Sequence, residues 1–162
     1  FVLGTLQDSD MKARKIMDCK RVLCAAPSYL AAHGTPMKPE DLVSDKHRCL
    51  LLRFPGSPEF TWMLEGGDGP QKYAISGPYD ADDGDVLTDW ALAGQGIVNK
   101  PTFEVARHLA SGALVEVLAS TPPTPARFAC LYPHRRLQDP KVRLFVDFML
   151  TQCRARVQEM LV

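Results

Sequence analysis

Four carboxylates, Asp80, Asp82, Asp83 and Asp85, crowd the start of the apolar stretch Val86-Leu87-Thr88-Asp89-Trp90-Ala91. An Asp ahead of an apolar helix caps it by accepting a hydrogen bond from one of the first free backbone N–H groups. Those N–H groups and the positive end of the helix dipole also suit an anionic ligand. A second group of polar residues leaves a buried strand: Ile97-Val98-Asn99-Lys100 runs into Pro101-Thr102-Phe103. A lysine at a strand exit can pair with a ligand carboxylate or with the Asp cluster. A third exit, Arg53-Phe54-Pro55, offers a guanidinium that can clamp a carboxylate through two bonds, beside an apolar wall. This is the chemistry of holding a small molecule.

Bond-making chemistry has less to stand on. The histidines, His33, His47, His108 and His134, lie in loops or on helix faces, and none neighbours a Ser or Cys in a nucleophile-elbow pattern. Gly94-Gln95-Gly96 lacks the third glycine of a dinucleotide fingerprint and follows a helix, not a strand. Five cysteines, Cys19, Cys24, Cys49, Cys130 and Cys153, are scattered without paired spacing, which reads as reduced thiols rather than a disulfide framework or zinc site. The expectation is a protein that is not an enzyme, with no cofactor and no metal. Lys+Arg and Asp+Glu both number 19, so direct nucleic-acid binding by this chain is not expected. No apolar run approaches the roughly 20 residues that span a bilayer. Reduced thiols and the lack of a span point to the cytoplasm.

The elements that must position these groups alternate. Strands are expected at Phe1–Leu3, Arg21–Ala26, Cys49–Leu52, Ile97–Val98, Ala113–Leu118 and Arg127–Pro133. Gly66-Gly67-Asp68-Gly69 joins Thr61–Leu64 and Tyr73–Ser76 as a hairpin. Met11–Met17 alternates weakly. Helices are expected to start at Ser28, Pro39, Asp82 or Asp83, Thr102 and Asp139-Pro140, with Ser28 and Thr102 as caps. The last carries Val142, Phe145, Val146, Met149 and Leu150 on one face. Strand–helix alternation implies an α/β fold with a mostly parallel sheet. With 162 residues, 46% hydrophobic and 23% charged, the chain suffices for one domain or two small lobes. Arg21–Pro27 and Arg127–Pro133 resemble each other, and two such strands would let a two-lobed protein cross between lobes and back.

Taken in order, several segments resemble the effector-binding domain of LysR-type transcriptional regulators. They are Gly4–Asp10, Cys24–Gly34 with Pro36 and Pro39–Leu42, Asp83-Gly84, Ala91–Ile97, Pro101-Thr102-Phe103, Leu109–Leu114, Tyr132-Pro133 and Phe145–Phe148. The resemblance implies a type 2 periplasmic-binding-protein fold with two Rossmann-like subdomains and an effector cleft between them. Residues 24–128 would be the second subdomain, and residues 1–23 and 129–162 the remainder of an incomplete first one. The family's helix-turn-helix would lie outside this chain, and with it any DNA binding.

The implied function is sensing a small organic effector, an organic acid or amphoteric metabolite, on behalf of a homo-oligomeric regulator with no membrane contact. The rival reading is a periplasmic solute-binding protein of a transporter. The candidate effector contacts are Thr5, Arg53, Phe54, Asp83, Gly84, Lys100, Pro101 and Phe103. Two positions depart from the family's habit: Asp82 stands where Ser or Asn is usual, and Lys100 where an aliphatic residue is usual. Either the acids satisfy the helix start themselves, or the effector brings a cationic or hydroxyl group. The Met11–Met17 segment and the 140–159 helix offer faces for self-association.

Overall fold

In the computed structural model of the chain, the residues described are 2–3, 11–44, 46–53, 60–133 and 139–161. They divide into two compact units, one formed by Phe1–Lys20 with Pro125–Val162 and the other by Arg21–Thr124. Thr5, Phe54, the Asp8–Asp10 loop and Pro55 lie outside the described residues.

The second unit is built on a five-stranded sheet. Its strands are β3 (Arg21–Ala25), β4 (Cys49–Leu52), β7 (Tyr79–Ala81), β8 (Ile97–Pro101) and β9 (Val115–Val117), ordered β7-β4-β8-β3-β9. The expected mostly parallel arrangement is corrected here. β4 runs parallel to β7 and β8, while β3 runs antiparallel to β8 and β9. A single helix returning the chain makes two strands parallel. Between β3 and β4, however, lie two helical segments, α1 (Pro27–His33) and α2 (Glu40–Val43), broken by Gly34 and the Pro36–Pro39 stretch. A hairpin, β5 (Thr61–Leu64) with β6 (Gln71–Ala74), covers part of the sheet, as its Gly-rich turn implies.

Alternation along the strands feeds two cores. Leu23, Ala25, Cys49, Leu51 and Ile97 face Tyr29, Leu42, Trp62 and Leu64 from α1, α2 and the hairpin. Val22, Cys24, Leu50 and Val98 face Leu87 and Ala91 of α3 (Gly84–Leu92) and Val105 of α4 (Thr102–Ala110). Close backbone approach is built in where Gly77 crosses β4, since a Cβ there would lie 1.8 Å from the Cys49 carbonyl oxygen. Gly94, at φ +74°, closes α3 in a conformation that only glycine adopts readily.

Two expected caps are reassigned. The residue before α1 is Ala26, with Pro27 in the first turn and no side-chain cap, so Ser28 is already helical. Pro27 suits that place because it has no N–H to satisfy and its φ is preset. Likewise Pro101 precedes α4 and Thr102 is its first residue.

Under α1, the Tyr29 hydroxyl accepts from the Arg48 amide at 2.8 Å and lies 3.4 Å from His47 Nδ1. Burial lowers the pKa of His47 below its ordinary value. Over the interval between the two pKa values the unfolded chain holds the extra proton, so stability falls as pH drops through the unfolded value of about 6.5. The urea midpoint is therefore expected to fall between pH 8 and pH 5, and His47→Gln to flatten that slope. An unchanged slope in the variant would assign the acid sensitivity elsewhere.

The first unit holds a fully antiparallel sheet ordered β1-β10-β2, from β1 (Val2–Leu3), β10 (Ala126–Pro133) and β2 (Met11–Cys19). The weakly alternating Met11–Met17 segment is thus most of a nine-residue strand. Helix α5 (Pro140–Met160), capped by Asp139 through the Lys141 amide, sets Val146 and Leu150 against Ile16, Cys130 and Tyr132. Phe145, expected on that apolar face, is 58% exposed, with Leu144 and Phe148 exposed beside it. The stripe that packs on the sheet runs through Val142, Val146, Leu150 and Cys153, and Phe145 lies to one side of it.

Candidate functional site

The most connected polar cluster among the described residues gathers where β8 ends and where α3 and α4 begin. Asp83 precedes α3, and its Oδ1 accepts from the Asp85 amide at 2.8 Å. The sequence left Asp82 and Asp83 as alternatives; Asp83 has the extended backbone that turns its carboxylate onto the helix end. Gly84, the first residue of α3, lies against Lys100, whose Nζ donates to the Gly84 carbonyl at 3.0 Å. A Cβ at Gly84 would lie 2.9 Å from that Nζ.

Lys100 is 5% exposed and forms an ion pair with Glu104, in the first turn of α4. One ammonium therefore ties the starts of two helices together. It does so at the end of the strand that separates them in sequence. An ammonium so buried needs its partners, because leaving a charge unpaired away from water is costly. A ligand carboxylate reaching Lys100 would share the ammonium, which has three N–H donors, with Glu104 and Gly84.

Pro101 is buried and Phe103 half-buried where α4 starts. Arg53 continues β4, its amide donating to the Ala81 carbonyl at 2.7 Å. Its guanidinium forms an ion pair with Asp80 of β7. The structure thus brings Asp83, Gly84 and Lys100 together and places Pro101 and Phe103 beside them on the same strand–helix junction. Arg53 stands on the neighbouring strand with its own acidic partner.

Two pairings here were not singled out from the sequence: Glu104 with Lys100, and Asp80 with Arg53. The i,i+4 spacing of Lys100 and Glu104 was a usable signal. It was obscured because Lys100 is in a strand and Glu104 in a helix. Replacing Asp83 by alanine is expected to remove the cap of α3 and destabilise the second unit by about 1 kcal/mol, with asparagine restoring most of it. Thermal melting of both variants checks this, and equal losses for the two would show that charge and not capping holds the helix end.

Thiol chemistry is disfavoured at Cys24 and Cys49, whose pKa values burial pushes up to about 12. Near neutral pH both are protonated and so poor nucleophiles. Among the described residues no group of His, Cys, Asp and Glu is placed to hold a metal ion, and no helix is long and apolar enough to cross a membrane.

Comparison with known proteins agrees over nearly the whole chain. The family described as LysR substrate binding domain matches residues 1–154. The HTH-type transcriptional regulator DmlR of Escherichia coli is 34% identical over 137 residues, covering 85% of this chain and 44% of that protein. The HTH-type transcriptional regulator CrgA of Neisseria meningitidis is 35% identical over 150 residues, covering 92% of this chain and 49% of that protein. The chain spans about half the length of these relatives. Among solved structures, the CrgA regulatory domain superposes with a TM-score of 0.74 at 34% identity, covering 92% of this chain and 72% of that one. The regulatory domain of AphB from Vibrio vulnificus gives 0.73 at 30%, covering 93% and 73%.

Proposed function

Since the chain belongs to the LysR substrate-binding domain family, matched over residues 1–154, we propose that it is the effector-sensing part of a cytoplasmic DNA-binding transcriptional regulator. The observation that carries this reading is the family match, together with relatives such as DmlR and CrgA that are themselves named as transcriptional regulators. In this reading residues 24–128 form the second regulatory subdomain, and residues 1–23 with 129–162 belong to the first. The ligand of this regulatory part is a small organic effector. The chain performs no reaction, and the DNA-binding and self-associating functions belong to the whole regulator as a homo-oligomer.

Effector contacts are assigned to Thr5, Arg53, Phe54, Asp83, Gly84, Lys100, Pro101 and Phe103. The ion pairs bear on the effector's chemistry. A carboxylate reaching Arg53 competes with Asp80, and one reaching Lys100 competes with Glu104. An amphoteric metabolite, with a cationic or hydroxyl group for the surrounding acids, fits better than a simple anion. Occupancy shifts the protein only so far as the ligand binds one arrangement of the regulator more tightly than another.

The deciding experiment is to sequence the coding DNA upstream of Phe1. A helix-turn-helix segment and a linker helix are expected. A secretion signal in their place would overturn the regulator reading in favour of a transport receptor.

A further inference from the structure

Strand β2 carries one residue more than β10 can pair. Cys19, Asp18 and Met17 stand opposite Ala126, Arg127 and Phe128, but the next residue of β10, Ala129, faces Lys15. Ile16 is the extra residue, a β-bulge with no partner in the ladder. The side chains agree with this. Neighbours on a regular strand point to opposite faces, yet Ile16 and Met17 both pack into the core beneath α5.

The extra residue of a bulge leaves its backbone groups to find partners elsewhere. Here α5 supplies one. Arg154 Nε donates to the Ile16 carbonyl at 2.7 Å, and Nη2 of the same guanidinium donates to the Lys15 carbonyl at 3.5 Å. Beyond the bulge, Arg14 stands opposite Cys130, on the face that α5 covers, and forms an ion pair with Asp147 of α5.

A second register of the same two strands needs no bulge. Keeping Met17 opposite Phe128, it sets Ile16 by Ala129, Lys15 by Cys130, Arg14 by Leu131 and Ala13 by Tyr132. Because side chains alternate, that one-residue slip reverses the outer half of β2. Lys15 then faces α5, Ile16 leaves the core, and Arg14 turns away from Asp147. Lys12 comes to stand opposite Pro133, and Met11 passes out of the ladder.

We propose that β2 is a two-register strand and that α5 selects the bulged register, with Arg154 as the latch. Releasing the latch hands Met11 to the 4–10 segment that joins β1 to β2, so α5 sets how much chain that connection has. Thr5 lies in the segment and is an assigned effector contact, so a bearing on the effector rests on the regulator reading, whereas the two registers do not.

A cysteine cross-link traps the slipped register in the 162-residue chain. Directly opposite residues of an antiparallel pair lie about 4.5–5.5 Å apart, within disulfide reach. In the bulged register the Lys15→Cys thiol and Cys130 point to opposite faces, and in the slipped one they meet. Oxidised glutathione is the oxidant, at about pH 8, where an exposed thiol is partly ionised. The linked peptides are counted by mass spectrometry after digestion. Adding Arg154→Met to the Lys15→Cys chain is expected to speed the link to Cys130 about tenfold, the weight of one hydrogen bond from a charged donor. Asp18→Cys is the control, since Asp18 lies on the other side of the bulge and meets Cys130 in neither register. Its link to Cys130 is expected not to quicken. Should Arg154→Met fold poorly, Arg154→Lys carries the same comparison, keeping the charge but losing the fork. A Lys15→Cys link whose rate the Arg154 substitution leaves unchanged overturns the latch. Equal quickening of both links also overturns it, by showing unfolding in place of a slip.

Discussion

Alanine at Gly77 is expected to cost the second unit about 3 kcal/mol or more, the largest loss from a methyl group added at any of the described glycines. The added Cβ would sit 1.8 Å from the Cys49 carbonyl oxygen and 2.9 Å from its carbon. Relief cannot come from a side-chain rotation, because the obstacle is backbone. It cannot come cheaply from β4 either, which is hydrogen-bonded on both sides, to β7 and β8. The clash must therefore push apart the central strands of the sheet or swing out the segment that leads to β7. Trp62, buried in the core that β4 helps to form, reports the loss through its fluorescence during a urea melt. Gly67, where an added Cβ meets nothing within 4 Å, is the control and should change stability by no more than about 0.5 kcal/mol. Equal behaviour of the two variants would sink the close-approach explanation.

The second large effect is expected at Lys100. Exchange for methionine keeps most of the side-chain volume but removes the cation that joins Gly84 to Glu104. Breaking a buried pair by removing one partner costs about 3–5 kcal/mol. Glu104 is 30% exposed, and Arg21 lies close enough to interact with it, so about 2 kcal/mol is the expected loss here. The double variant Lys100→Met with Glu104→Gln should recover part of that, since neither charge is then stranded. Urea melts of the wild type, the two single variants and the double variant give the coupling directly. A coupling near zero would mean that the pair is incidental. Hydrogen exchange at the Gly84 and Asp85 amides should also quicken in Lys100→Met, because the start of α3 loses its tie to β8.

Much of this was legible in the residues, and what was not has physical causes. The strand Cys49–Leu52, the Gly-rich hairpin and the Asp139-Pro140 helix start announce themselves through local chemistry that nothing distant overrides. The Asp83 cap was narrowed to two neighbours, and a carboxylate's reach to the first turn decides between them. Strand direction was not legible: β3 runs antiparallel to β8 because of how the chain returns through α1 and α2, which no local pattern records. Nor was Gly77, since Gly77-Pro78 reads as an ordinary turn and the obstructing carbonyl is 28 positions earlier. At the candidate site, Lys100 was singled out by its charge in an apolar strand.

The chain leaves the first unit after Lys20 and returns to it at Pro125, and that interruption dictates an order of assembly. Cys19 pairs with Ala126 at the near end of the β2–β10 ladder, so the two strands meet across roughly a hundred intervening residues. Closing so long a flexible loop costs about 4 kcal/mol of chain entropy, much of it removed if the intervening stretch is already structured. The 21–124 segment is continuous and can fold as soon as it leaves the ribosome. Until β10 has been synthesised, the nine residues of β2 lack the strand that pairs with them in the sheet. A lesion that slows the inserted unit, such as alanine at Gly77, therefore prolongs the exposure of a strand it never touches, and the cell would see it as an insoluble protein.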